Sequence, residues 1–136
     1  MTMLKKRLIE ILLKIRPAVL GSVIKKLLFS HREIAETSQG KFWIDPASNL
    51  GYKLLYVGEH EPYMIKTLQQ YLQPGSTFID LAANEGYFSV IASKLVGSQG
   101  KVFAIEPQSR LLDIINKNLD LNECNNVKIL PIAISD

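Results

Sequence analysis

One cysteine, one tryptophan and two histidines occur in 136 residues. Cys124 alone cannot close an internal disulfide, and a reducing, cytoplasmic setting is the expectation that follows. His31 and His60 stand apart from any cysteine or carboxylate cluster, so no metal site is expected. The basic N-terminal stretch lacks a long apolar run: its longest uncharged segment is Pro17 to Ile24, well short of the roughly 20 residues that cross a bilayer. Glu10 and Lys14 also interrupt what would be the apolar core of a secretion signal. Repeats and low-complexity tracts are absent. So is Gly-x-Gly-x-x-Gly, the glycine pattern of a dinucleotide-binding turn.

What is present reads as an ordinary globular composition, 47% hydrophobic and 21% charged. The formal charge of +3 is unevenly spread: residues 1–32 carry eight Lys or Arg against Glu10 alone, and the remainder carries eight against twelve acids. Leu4, Leu8, Leu12 and Ile15 fall at helical spacing before Pro17 breaks the pattern. Residues 1–32 are therefore expected to be a basic helical arm, either a packing helix or a weak, salt-sensitive contact with an anionic membrane surface. Lys5-Lys6-Arg7 and Lys25-Lys26 lack interleaved aromatics, and no nucleic-acid partner is expected. Residues 33–72 read as a lead-in: a strand pair, Lys41–Ile44 and Tyr52–Val57, around a turn at 45–49, then a helix from Glu61-Pro62 to about Leu72.

From residue 73 the order is strand 77–81, helix 86–96, strand 102–106, helix 109–121 and strand 127–134. The second helix offers Leu111, Leu112, Ile115 and Leu119 as its apolar stripe. The first strand ends in Asp80, followed by a small-residue turn, Ala82-Ala83-Asn84, and by Gly86 opening the helix. The second strand ends in Glu106-Pro107. Strand, small-residue turn, helix, strand and terminal carboxylate outline a nucleotide-type cofactor site on a parallel sheet, the carboxylate accepting from ribose hydroxyls. Asp80 and Glu85 would repel the pyrophosphate of a dinucleotide but suit the ammonium and sulfonium of S-adenosylmethionine (AdoMet). AdoMet is therefore favoured over NAD.

Residues 72–89, Leu-Gln-Pro-Gly-Ser-Thr-Phe-Ile-Asp-Leu-Ala-Ala-Asn-Glu-Gly-Tyr-Phe-Ser, resemble the first motif of FkbM-type class I AdoMet-dependent methyltransferases. Gly-Lys-Val-Phe-Ala-Ile-Glu-Pro (100–107) is similar to the second motif. Residues 116–122 and 129–136 resemble the helix and third strand that follow, and Ile-Asp-Pro (44–46) and Glu-Pro-Tyr (61–63) resemble lead-in segments. Ala82 stands where that family usually has glycine; its methyl group would crowd the cofactor or resist a positive φ.

The resemblance implies a Rossmann-like, doubly wound parallel α/β sheet of the class I methyltransferase type, with residues 73–136 as its N-terminal half. It implies AdoMet as cofactor and O-methylation of a sugar or secondary metabolite, that is, a carbohydrate or small-molecule acceptor. The cofactor set is Asp80, Ala82, Ala83, Asn84, Gly86, Glu106, Pro107 and Ala133, the last where the adenine edge would lie. The sheet is expected to be incomplete and the chain a fragment without turnover of its own. Its open first-strand edge is then available to a companion chain or to self-association. The alternatives are a non-catalytic remnant or interaction module, suggested by Ala82, and an NAD-binding half-domain.

Overall fold

The computed structural model describes residues 31–134 together with Met3, Arg7, Leu8, Glu10 and Ile11. Most of the arm expected over residues 1–32 lies outside the described residues, and with it the packing or membrane role. Two units divide the chain: Met1–Ser38 with Trp43–His60, and Gln39–Phe42 with Glu61–Asp136.

β1 (Glu33–Thr37), in the first unit, leads into β2 (Gly40–Ile44), of which Gly40–Phe42 belong to the second unit and Trp43 and Ile44 to the first; β1 and β2 form a two-stranded sheet. The expected partner of β2, Tyr52–Val57, is not a strand: Tyr52 to Tyr56 belong to helix α1 (Asn49–Tyr56), and Val57 is its C-cap. The cause lies just upstream. Ser48 has extended backbone and its Oγ accepts the Gly51 N–H at 2.8 Å, the geometry of a helix N-cap. Asp45 braces the same turn, its carbonyl accepting from the Ser48 N–H and its Oδ1 from the Ala47 N–H. Leu54 is buried, and the rings of Tyr52 and Tyr56 stack one helical turn apart at 5.1 Å. The Tyr52 hydroxyl donates to Glu10 Oε1 at 2.6 Å.

In the second unit, helix α2 (Pro62–Tyr71) starts with Pro62 at its first helical position, where the missing N–H costs nothing. Strand β3 (Thr77–Leu81), helix α3 (Tyr87–Val96), strand β4 (Lys101–Ile105), helix α4 (Ser109–Leu121) and strand β5 (Val127–Leu130) follow. The sheet order is β3-β4-β5, all parallel, with Asp80 beside Ala104 and Ala104 beside Ile129. Ala92, Val96 and Val102 form a buried cluster, with Leu72, Phe78 and Val127 packed against it. Burial of each large aliphatic group contributes about 1.5–3 kcal/mol.

Side chains of β3 alternate: Asp80 is buried and Phe78 half-buried, whereas Ile79 and Leu81 are exposed. Among the described residues β3 pairs with β4 alone, so its other edge is open. Two expectations need correction here. The third strand stops at Leu130 rather than at residue 134: the Ile132 N–H, the next donor in line for β4, turns back onto the Leu130 carbonyl instead. The buried stripe of α4 is Leu111, Ile114, Ile115, Asn118 and Leu119, with Leu112 only half-buried. Among the described residues no helix is long and apolar enough to cross a membrane.

Candidate cofactor site

The tips of β3 and β4 lie side by side, so the turn after β3 meets the carboxylate after β4. Within that turn Ala82, Asn84 and Gly86 have φ of 58°, 52° and 80°. Alternation of left-handed and ordinary residues coils the backbone tightly, and the Gly86 N–H closes the coil on the Ala83 carbonyl at 2.8 Å. Asparagine tolerates this region and glycine has no objection to it, but Ala82 sits there at a cost of order 1 kcal/mol. The sequence expectation that alanine would resist a positive φ thus meets a turn that imposes one. Gly86 is needed for a second reason: a Cβ there would lie 3.1 Å from Ile115 Cγ2 on α4.

Glu106 holds the turn in place. Only 2% of it is exposed. Its Oε2 accepts the Asn84 N–H and its Oε1 accepts the Gln108 N–H, each at 2.9 Å. The Ala83 N–H donates to the Ile105 carbonyl at 2.9 Å, a second tie between the turn and β4. From the opposite side, Asn118 Nδ2 donates to the Glu85 carbonyl at 2.7 Å. Asn118 and Ser89 were missed by sequence reasoning. Ser89 Oγ donates to Asp80 Oδ2 at 2.5 Å, binding the β3 tip to the first turn of α3.

Asp80, Glu85 and Glu106 are all buried here. Burial raises the Asp80 carboxyl above its ordinary value; the Ser89 hydrogen bonds oppose that, and the nearby negative charge of Glu106 adds to it. A raised folded-state value means that this group's contribution to stability is fully present below the unfolded carboxylate range and is lost as pH rises through the folded value. Asp80→Asn is therefore expected to raise the urea midpoint at neutral pH. The gain should fade at pH 3, where aspartate is protonated in the folded and unfolded chains alike. Equal gains at both pH values would show that charge burial is not the cause.

Seven of the eight residues expected at the site are gathered by this geometry: Asp80, Ala82, Ala83, Asn84, Gly86, Glu106 and Pro107 lie in the β3 and β4 tips and the segments after them. Ala133 is different. It is exposed and lies past the end of β5, where the chain turns at once with the Ile132 N–H on the Leu130 carbonyl. Asn84 takes the unusual backbone angle that its side chain tolerates and does not cap α3, whose N-cap is Gly86. Two cavities of about 260 and 430 Å³ open elsewhere, one beside Ser93, Lys94 and Cys124, the other beside Lys101, Phe103 and Lys128.

A parallel α/β sheet with a coiled turn at one strand tip and a buried acid at the next defines the Rossmann-like fold of class I methyltransferases. The chain belongs to the protein-L-isoaspartate(D-aspartate) O-methyltransferase family, whose model matches residues 3–132. It is 23% identical over 99 residues to protein-L-isoaspartate O-methyltransferase 1 of Arabidopsis thaliana, covering 72% of this chain and 43% of that protein. It is 38% identical over 56 residues to a probable cobalt-precorrin-6B C(15)-methyltransferase of Sulfurisphaera tokodaii, covering 41% of this chain and 29% of that one. The structure of M. jannaschii TYW2 in complex with AdoMet matches with a TM-score of 0.56 at 22% identity, over 73% of this chain and 42% of that chain.

The chain thus spans less than half the length of these curated relatives. What the matched family shares with the FkbM type suggested by the motifs is the class I methyltransferase fold. A ribosomal RNA large subunit methyltransferase E of Coxiella burnetii, 37% identical over 78 residues and covering 56% of this chain and 33% of that protein, is also among the relatives. It leaves the expected absence of a nucleic-acid partner without support.

Proposed function

We propose that this chain is the cofactor-holding part of an AdoMet-dependent methyltransferase that acts on an oxygen acceptor. The observation that carries the reading is Glu106: a buried carboxylate at the β4 tip, bonded to the backbone of a coiled turn at the β3 tip. In this reading Glu106 receives the ribose hydroxyls, and the backbone of residues 82–86 lies against the amino-acid part of the cofactor. Asp80 and Glu85 favour its positive charge, which also argues against the pyrophosphate of NAD. When bound, AdoMet supplies the methyl group and its own leaving group. The residues described here bind and orient; no side chain is assigned as a base.

Two acceptors share the oxygen chemistry. The matched family's description supports an isoaspartyl carboxylate on a protein. The FkbM-type motifs over 72–89 and 100–107 support a hydroxyl of a sugar or secondary metabolite. Calorimetric titration with AdoMet, its demethylated product and NAD tests the cofactor. Binding of the first two without the third is expected, and preferential binding of NAD overturns the reading. Transfer of radiolabel from AdoMet to an isoaspartyl peptide or to a sugar panel then separates the acceptors.

A further inference from the structure

We propose that Asn118 is the positioning residue of the cofactor turn, an inference that rests on the AdoMet reading above. The placement is costly for an asparagine. It lies inside the 13-residue helix α4, 1% exposed, in line with Leu111, Ile114, Ile115 and Leu119. Asparagine is a mediocre helix former, and a buried amide has to recover its lost hydration through hydrogen bonds. A leucine would extend the apolar stripe without either cost. What an apolar residue lacks is the Nδ2 donor that reaches the Glu85 carbonyl at 2.7 Å.

That carbonyl belongs to the peptide joining Glu85 to Gly86. Glycine accepts either sign of φ, so no Cβ of residue 86 fixes the orientation of this peptide plane. A flip would turn the Gly86 N–H away from the Ala83 carbonyl that it now meets at 2.8 Å. It would also change the left-handed φ of Gly86 on which the coil depends. Ile115, one turn earlier on α4, closes against Gly86 and fixes its distance from the helix. Asn118 fixes its orientation. Glu106 does the matching task for the Asn84 N–H from the other side.

Asn118 is itself held. Its backbone carbonyl accepts from Asn122 Nδ2 at 2.8 Å. The Asn122 amide also pairs with Lys41, donating to its carbonyl at 2.6 Å and accepting its N–H at 3.1 Å. Asn118 and the helix cap Asn122 together therefore link the segment at Lys41 to the turn after β3, the first through its backbone and its side chain. Proper orientation of the turn's amides sets how closely a cofactor approaches the backbone, so Asn118 is assigned to cofactor affinity rather than to fold alone.

Asn118→Leu and Asn118→Asp, the first without a donor and the second nearly isosteric, test the assignment. Both are expected to weaken AdoMet binding about tenfold, the value of one charge-neutral hydrogen bond. Amide exchange at Asn84 and Gly86 should accelerate, while Val102–Ile105 in β4 stay protected. Parental exchange at Asn84 and Gly86 in a folded variant overturns the proposal. So does an AdoMet dissociation constant within about twofold of the parent, whatever happens to the urea midpoint. Exchange requires no cofactor: if the parent does not bind AdoMet, the functional reading fails while exchange still decides Asn118. Should neither variant fold, the parent decides through its Asn118 Nδ2 protons. Core-like slow exchange is expected there, and exchange at the rate of exposed amides overturns the proposal.

Discussion

Glu106→Ala is expected to weaken AdoMet binding by roughly 30-fold or more and to lower folding stability by about 2–4 kcal/mol. The two effects have separate origins. Both carboxylate oxygens already accept backbone N–H groups, from Asn84 and Gln108. Each donor left without a partner in a buried place costs about 1–3 kcal/mol, and water recovers part of that because the Asn84 residue is exposed. The loss of affinity comes from the ribose, whose two hydroxyls would use the remaining lone pairs of the same carboxylate. Each oxygen has two, so the backbone bonds and the ribose bonds are compatible.

Glu106→Gln discriminates further. It keeps one acceptor but turns an NH₂ group towards a backbone N–H, so it should fall between parent and alanine variant in stability. An AdoMet analogue lacking both ribose hydroxyls is the control: it should bind the parent and a folded Glu106→Gln variant with similar affinity. An AdoMet dissociation constant unchanged in a folded alanine variant would falsify the ribose assignment and leave Glu106 as a tie for the turn.

The parts of this unit that the sequence announces are those whose limits are set locally. Strand β3 and helix α4 fall at 77–81 and 109–121 as expected, because Pro74-Gly75 stops the chain before one and an apolar period of 3.6 marks the other. Residues 52–57 mislead because Tyr52, Leu54 and Tyr56 satisfy a two-residue period, and their aromatic and apolar character suits a strand. The two tyrosines are equally well spaced for one face of a helix, and Ser48 decides the matter by capping it. The end of β5 is not readable, because the apolar alternation of Ile132 and Ile134 continues the strand pattern while the Ile132 N–H turns back onto the Leu130 carbonyl.

At the site, Asp80, Gly86 and Glu106 are legible because a strand tip, a turn and a second strand tip follow one another in sequence. Asn118 and Ser89 are not. Neither is a site by type, and each acquires its role from a group 33 or 9 residues away in the chain. Only the packing of α4 and α3 on the turn reveals which polar side chain is buried and what it touches.

Opposite substitutions at two positions of the same turn should move stability in opposite directions. Gly86→Ala places a methyl group at φ 80°, a region that costs an L-residue about 1–2 kcal/mol. The added Cβ would also stand 3.1 Å from Ile115 Cγ2, so that side chain has to give by a few tenths of an ångström, while the Ile115 Cα at 3.6 Å is in ordinary contact. Overpacking of that kind costs about 1–3 kcal/mol, and the sum is a loss of about 2–5 kcal/mol with weaker AdoMet binding, since the turn is pushed against α4.

Ala82→Gly runs the other way. Ala82 is exposed and already left-handed at φ 58°, so removing its Cβ relieves strain and touches no packing. The more flexible unfolded chain offsets part of that relief by about 0.4–1 kcal/mol, which leaves a net gain of about 0.5 kcal/mol and tighter AdoMet binding through closer approach to the backbone. Urea unfolding and calorimetry on the two variants check both signs. Stabilisation by Gly86→Ala would mean that the turn is not held left-handed at 86. Weaker binding by a folded Ala82→Gly variant would mean that the methyl group of Ala82 contributes a contact to the cofactor instead of crowding it.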